Sequence, residues 1–390
     1  MTEYRRLLRF ERIEKVQSVG YPLRFIGRCY SGEALWHWSN KPAFVRLFIC
    51  ETNESFFSAK KSAMKRILVT GADGYIGNAM VLALLNYTKQ FVVRAAAQKE
   101  FVLNSKSFET VRLASLEDTP DCQKEFADCD ALIHCETYET LRQGGDWLEE
   151  SALHRIHVLG SVHLAREAYR AGIRRFIFIS TVEVNGASTP EGKKFFADSL
   201  PRPRTLFGRY MHQTEKAIQQ VGEESGLEVT IIRVPMVYGP GCSNLFSFAR
   251  KLVEYCVPLP LLWCSKNKRS LLSIDNLTDF VIKSLVHPAA AGETFLVSDG
   301  HDLSAEEFFC LLAKSHRRPP LLWPFPPLFL RLFNSYIGRQ AWEDFLFKNL
   351  VVDIKKNMIL LGWEPPLSVE QCFRRSWDER SVAGTSHRSN

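Results

Sequence analysis

Short apolar runs alternate with longer stretches of helical period through the middle of the chain. The runs fall at Arg66–Thr70, Phe91–Ala95, around Val111, Ala131–His134, Phe176–Ser180 and Glu228–Arg233, and each has the length of a strand rather than of a helix. Between them, Tyr75–Asn86, about Glu149–Ala171 and about Met211–Gly222 read as helices. The second is the best marked: Leu153, Ile156, Val158, Val162, Leu164 and Ala168 recur near helical spacing, and Gly172 supplies a left-handed stop. Strands separated by helices predict an α/β chain of Rossmann type, with a doubly wound parallel sheet covered on both faces.

Texture changes sharply at Met64, where an irregular stretch gives way to the apolar run and glycines of Met64-Lys-Arg-Ile-Leu-Val-Thr-Gly71. Residues 1–63 show neither sustained period nor repeat, so they read as an N-terminal extension, and Met64 is a plausible natural start. Residues 64–239 form the expected dinucleotide domain. The Gly and Pro residues of Val237-Tyr238-Gly239-Pro240-Gly241 end regular structure there, and 240–380 follow as a smaller C-terminal substrate-binding lobe able to return a strand to the sheet. The polar, small-residue tail 381–390 offers nothing to bury and reads as disordered.

The first candidate chemistry lies in Thr70-Gly71-Ala-Asp-Gly74-Tyr75-Ile76-Gly77, a GxxGxxG pattern immediately after a strand and before a helix. In that context the first glycine permits a tight turn, the second lets the backbone approach a pyrophosphate, and the third lets helix and strand pack closely. The helix N-terminus then faces the phosphates. Gly71, Gly74, Tyr75, Ile76 and Gly77 are therefore the expected cofactor-binding residues, and the cofactor is NAD or NADP. An acidic residue ending the second strand would favour NAD; the segment here reads Val92-Val-Arg94-Ala-Ala-Ala-Gln98, so Arg94 is either a partner for a 2'-phosphate or a solvated surface arginine.

Charge and composition narrow the partners. The formal net charge is +7, yet residues 1–63 hold 11 Lys and Arg against 6 Glu, which leaves the remainder nearly neutral. No dense basic stripe lies inside the predicted domain, which argues against a nucleic-acid partner. Ten cysteines at irregular intervals form neither a CxxC pair nor a His/Cys cluster at zinc spacing, so no metal site is expected and the thiols read as reduced and cytoplasmic. No stretch has the uninterrupted apolar length of a transmembrane segment. Leu321–Phe333 comes nearest, but Pro319, Pro320, Pro324, Pro326 and Pro327 break it; it reads as a buried loop leading into a short core helix in preference to a membrane-surface anchor.

The spacing of Gly71, the Ser180-Thr181 pair and the Val237–Gly241 segment resembles the extended short-chain dehydrogenase/reductase superfamily, and more narrowly its bacterial UDP-glucose 4-epimerase-like, NAD-dependent epimerase/dehydratase group. Phe176-Ile-Phe-Ile-Ser180-Thr-Val-Glu-Val-Asn-Gly186, Arg269-Ser-Leu-Leu-Ser-Ile-Asp-Asn276, Glu293–Gly300 and Leu361–Pro366 extend the likeness over about Met64–Trp377. The resemblance implies hydride transfer between C4 of a UDP- or dTDP-sugar and the nicotinamide, in surface polysaccharide synthesis. A Ser or Thr after the fifth strand holds the sugar O4, a Tyr takes its proton, and a Lys four residues later lowers the Tyr pKa.

On that pattern Thr181 takes the hydroxyl role, unless it only caps its strand, with Ser180 beside it as a substrate contact. The Tyr and Lys positions carry Phe207 and Met211, and losing a positioned acid–base group costs about 10² to 10⁴ in rate. Tyr210 with Lys216 is the substitute pair the sequence offers. Asn244 and Arg269 match positions that hold the nucleotide diphosphate, Arg suiting bidentate phosphate contact. Ser115, Glu136 and Thr137 depart from the family pattern around the cofactor, Glu136 placing a carboxylate near an anionic ligand. A homodimer through about Ala152–Ala171 and Phe207–Gly222 is implied by resemblance alone. Two readings follow: an NAD(P)-dependent nucleotide-sugar epimerase or dehydratase, or a pseudoenzyme that keeps the scaffold without the proton-transfer pair.

Overall fold

The computed structural model describes residues 65–87, 90–98, 103, 105–113, 122–135, 150–259, 266–323 and 340–377, with two-residue strands at 24–25, 36–37, 142–143 and 146–147. The chain divides into two units, 1–63 and 64–390. In the first, Arg24–Phe25 pairs antiparallel with Trp36–His37. Ser115, Glu136, Thr137, residues 324–339 and the tail 381–390 lie outside the described residues.

In the second unit the chain runs β1 Lys65–Thr70, α1 Tyr75–Asn86, β2 Phe91–Ala97, β3 Phe108–Arg112, α2 Gln123–Phe126, β4 Ala131–Cys135, α3 Glu150–Leu153, α4 Ser161–Arg170 and β5 Arg175–Thr181. It continues with α5 Leu206–Ser225, β6 Glu228–Val234, β7 Val237–Tyr238, α6 Leu245–Glu254, β8 Leu272–Ser273, α7 Ile274–Val286, β9 Thr294–Leu296, α8 Ala305–Ser315, α9 Gln340–Phe347, α10 Lys355–Leu361 and α11 Val369–Arg375. Seven strands form one sheet in the order β9-β6-β5-β4-β1-β2-β3, every pairing parallel. The doubly wound α/β expectation is borne out.

Alternation along the strands explains the layering. Ile67 and Val69 of β1 face α1 and α7, packing with Met80, Val81, Leu84, Leu277 and Phe280. Leu68 between them faces the other way, into a cluster with Leu164, Ala168, Met211, Ile218 and Val221 of α4 and α5. Strands buried on both faces read as continuous apolar runs, the pattern seen in the sequence. From β1 the chain builds outward through β2 and β3, then returns to place β4 on the other side of β1. That reversal makes β1 and β4 the switch point, and in sheets of this kind a ligand binds in the crevice outside the strand ends there, here around Gly71 and Cys135.

The C-terminal segment reaches back into the sheet. It contributes β9, paired with β6 through Ile231↔Thr294, and α7, which covers one sheet face. A second cluster built from Tyr238, Phe246, Phe308, Phe309 and Phe373 holds α6, α8 and α11 together.

Two helices differ from the pattern reading. The helix expected over Glu149–Ala171 is α-helical at both ends but widens into a π-helix at His154–Gly160. Side chains of α5 reach its carbonyls: Thr214 Oγ1 donates to His157 O at 3.2 Å and Tyr210 Oη to Glu150 O at 3.1 Å. Helix α5 starts five residues earlier than Met211, at Leu206, because Thr205 caps it by accepting from Gly208 N at 2.9 Å. Of the loop expected to be buried from Leu321 onward, the described residues Leu321 and Trp323 are exposed while Leu322 packs against the core of the smaller lobe, and residues 324–333 lie outside the described residues.

Candidate active site

The glycine loop is shaped by close packing rather than by side chains. Gly71 has φ +67°, and a Cβ there would stand 2.1 Å from Cys135 O; a Cβ on Gly77 would stand 2.0 Å from Gly71 O. Glycine is thus required where the loop crosses the end of β4 and where α1 meets the loop. Helix α1 begins at Gly74 with no side-chain cap and no acidic residue in its first turn. A twelve-residue helix with uncapped N–H groups presents roughly half a positive charge, which fits the anionic pyrophosphate of a dinucleotide.

Tyr75 carries the loop toward the C-terminal lobe. Its hydroxyl is buried and has no hydrogen-bond partner among the described residues, and a Cβ on Gly239 would come within 2.8 Å of it. Burial pushes the phenol far above its usual range, with Cys242 and Asp275 adding to the shift. It is a neutral hydroxyl, available as a donor.

Thr181 ends β5 opposite Val234, and its Oγ1 accepts from Glu183 N at 3.3 Å. Next to it, Thr205 Oγ1 donates to the Glu183 carboxylate, and Gly208 packs so closely that a Cβ would lie 2.8 Å from Glu183 O. Burial raises the Glu183 pKa, Thr205 opposes the rise, Asp344 adds to it and Arg269 opposes it. Thr181, Glu183, Thr205 and the N-terminus of α5 therefore share one corner of the crevice, with Arg269 and Asp344 within electrostatic reach. Glu183 is absent from the expected site residues; its signal was a carboxylate two positions after Thr181 in an otherwise apolar stretch.

Other expected residues have structural occupations. Ser180 is buried and donates to Glu215 Oε1 at 2.5 Å, so its hydroxyl faces α5 rather than the crevice. Asn244 caps α6, accepting from Phe246 N at 2.9 Å and donating to Val237 O at 2.6 Å. Arg269 Nη1 donates to the carbonyls of Asp344 at 2.7 Å and Lys348 at 3.2 Å; burial pulls its pKa down to about 10, against Asp344 and Glu183. Arg94 sits mid-strand, because β2 runs on to Ala97. Its guanidinium is bound by Glu109, Nε–Oε2 2.8 Å, and by the Glu125 and Ala127 carbonyls at 2.7 and 2.9 Å, a geometry that offers a 2'-phosphate nothing.

Phe207 and Met211, which the sequence resemblance sets at the tyrosine and lysine positions, pack among apolar and aromatic side chains. Phe207 meets the His157 ring edge-on at 6.5 Å, and Met211 is 1% exposed within the core beneath α4. Tyr210 is buried and donates to Glu150 O, beside an open groove lined by Glu150, Ser151, His154, Arg155 and Gln213. The structure does not join it to Thr181, and Lys216 is exposed one and a half turns further on.

Residues 67–298 match the model of the NAD dependent epimerase/dehydratase family. The chain belongs to that family. Among its relatives, the UDP-glucose 4-epimerase of Vibrio cholerae is 31% identical over 312 residues, which cover 80% of this chain and 94% of that protein. The fold is shared with the UDP-glucuronic acid 4-epimerase of Bacillus cereus solved with NAD, at TM-score 0.64 and 18% identity over 83% of this chain and all of that one. It is shared equally with the UDP-glucose 4-epimerase of Thermotoga maritima solved with UDP-glucose, at TM-score 0.63 and 20% identity, covering 82% and 99%. Among the described residues no helix is long and apolar enough to cross a membrane, and all seven described cysteines are free thiols.

Proposed function

We propose that this family member binds NAD(P) on the Gly71–Gly77 loop and a nucleotide sugar beside it, but has lost the tyrosine-dependent proton transfer of an epimerase. The observation that carries this is Met211, sealed into the core at the position where relatives of this pattern bring a lysine to the cofactor. Phe207 beside it has no proton to exchange. When bound, the nicotinamide supplies a hydride acceptor; this chain supplies the loop that orients it and the Thr181 hydroxyl that faces the sugar.

A second reading rests on Glu183. A half-buried carboxyl whose pKa is raised by burial, held by Thr205 beside Thr181, keeps a proton more readily than an ordinary carboxylate and can pass it on. On this reading turnover survives without tyrosine.

Fluorescence titration with NADH and NADPH tests the common ground: saturable binding of either supports a working cofactor site, and no binding by folded protein refutes it. Turnover of UDP-sugars then separates the readings. An inactive wild type that gains activity in Phe207→Tyr/Met211→Lys supports loss of the proton-transfer pair. Wild-type turnover that disappears in Glu183→Gln supports the second reading.

A further inference from the structure

The C-terminal ends of α6 and α8 meet at one end of the smaller lobe. Tyr255 closes α6 and His316 closes α8. Beyond them two extended segments run side by side, Leu259 N donating to Leu321 O and Trp323 N to Leu259 O, both at 2.8 Å. Val257, Leu259, Leu321 and Leu322 close over Phe309 and Ala313 of α8, so the two segments form one continuous surface.

What this surface shows to solvent is unusual for a protein exterior. Tyr255 is 77% exposed, Trp323 65%, Leu321 40% and Val257 38%. Arg317 and Arg318, which follow the α8 cap, are exposed and form no ion pair with any described residue. Lys251 in the last turn of α6 is exposed too. Lys251 and Lys314 complement their helix C-termini, but Arg317 and Arg318 lie past the cap and have no such duty. Glu254 is the one carboxylate in residues 251–259, and residues 308–323 contain no Asp or Glu while carrying Lys314, Arg317 and Arg318.

Exposed aromatic and aliphatic side chains among four cations, with Glu254 the single acid in the two segments, match one environment. At a bilayer interface Trp and Tyr settle at headgroup level, cations meet lipid phosphates, and carboxylates are repelled by the negative surface. A protein partner would select against neither sign so uniformly.

We infer that this end of the lobe docks on the surface of an anionic phospholipid bilayer, with Tyr255 and Trp323 in the headgroup layer and Arg317 and Arg318 on the lipid phosphates. Docking is peripheral.

Sedimentation of the full chain with phosphatidylcholine vesicles, with and without phosphatidylglycerol, tests the inference. Binding is expected to the anionic vesicles, to weaken with salt, and to be slight on phosphatidylcholine alone. Each cation at such a surface is worth roughly five-fold in partitioning, so Arg317→Ala/Arg318→Ala lowers binding by ~25-fold, with the melting temperature unchanged because both side chains are exposed. Tyr255→Ala/Trp323→Ala lowers binding without altering charge. Failure to sediment with anionic vesicles, equal binding to both vesicles, or variants that bind like wild type overturns it. A protein that ignores vesicles but self-associates, and becomes monomeric in Trp323→Ala, gives the surface to a second copy and also overturns it.

Discussion

The Glu215–Arg233 pair offers the sharpest test of how the crevice is held. Glu215 on α5 and Arg233 on β6 have side chains 2% and 7% exposed. They are joined by contacts of 2.9 Å from Nε to Oε1 and 2.7 Å from Nη2 to Oε2. Ser180 donates to the same carboxylate, while Arg233 Nη1 reaches Asn185 Oδ1 at 3.1 Å and Ala197 O at 3.4 Å. One guanidinium therefore ties β6, α5 and the loop that follows Thr181. Glu215→Leu keeps approximate volume but leaves Arg233 charged, buried and short of its counter-ion. Removing one member of a buried pair costs about 3–5 kcal/mol, which at about 2 °C per kcal/mol for a unit of this size lowers the melting temperature by roughly 6–10 °C. The double variant Glu215→Leu/Arg233→Met removes both charges and is expected to regain most of that loss. Urea and thermal unfolding of the wild type, both single variants and the double form a complete cycle. A cost under about 1 kcal/mol for Glu215→Leu, or a double variant as unstable as the sum of the singles, would refute the argument from an uncompensated charge.

Three further outcomes follow from particular geometries. Gly71→Ala combines a positive φ with a backbone collision, so it should abolish NADH binding and cost well over the ~1–2 kcal/mol of left-handed strain. Gly172→Ala, at φ +87° with open space around it, should show that strain alone; equal effects on stability by the two variants would contradict the packing argument. Glu183 has a raised folded pKa, so the folded chain holds a proton that the unfolded chain releases. Its stabilising contribution is present below the ordinary carboxylate pKa and is lost as pH rises through the raised value. Melts across pH should therefore show wild type losing stability relative to Glu183→Gln as pH rises, and a wild type that gains stability relative to Glu183→Gln over the same range would reverse the assignment. Arg94→Ala should cost about 1–2 kcal/mol through the lost Glu109 contacts while leaving the ratio of NADPH to NADH affinity unchanged. A selective loss of NADPH binding would restore Arg94 to the 2'-phosphate.

The sequence by itself determined the layers and the loop. Apolar runs buried on both faces have no solvent side to blur their ends, so β1, β4, β5 and β6 were legible within one or two residues, and Gly71 to Gly77 stood out because a strand, three glycines and a helix occur in fixed order. Only the tertiary structure decided what the candidate polar residues do. Arg94, Asn244 and Arg269 looked like ligand contacts in a linear reading, yet each turns its side chain onto backbone carbonyls or a carboxylate brought from 7 to 79 positions away. Glu183 showed the reverse: its raised pKa comes from burial and from Asp344, a residue of another helix. Side-chain roles are set by which strand ends and loops converge, and convergence is a property of the folded chain that spacing along the sequence does not encode.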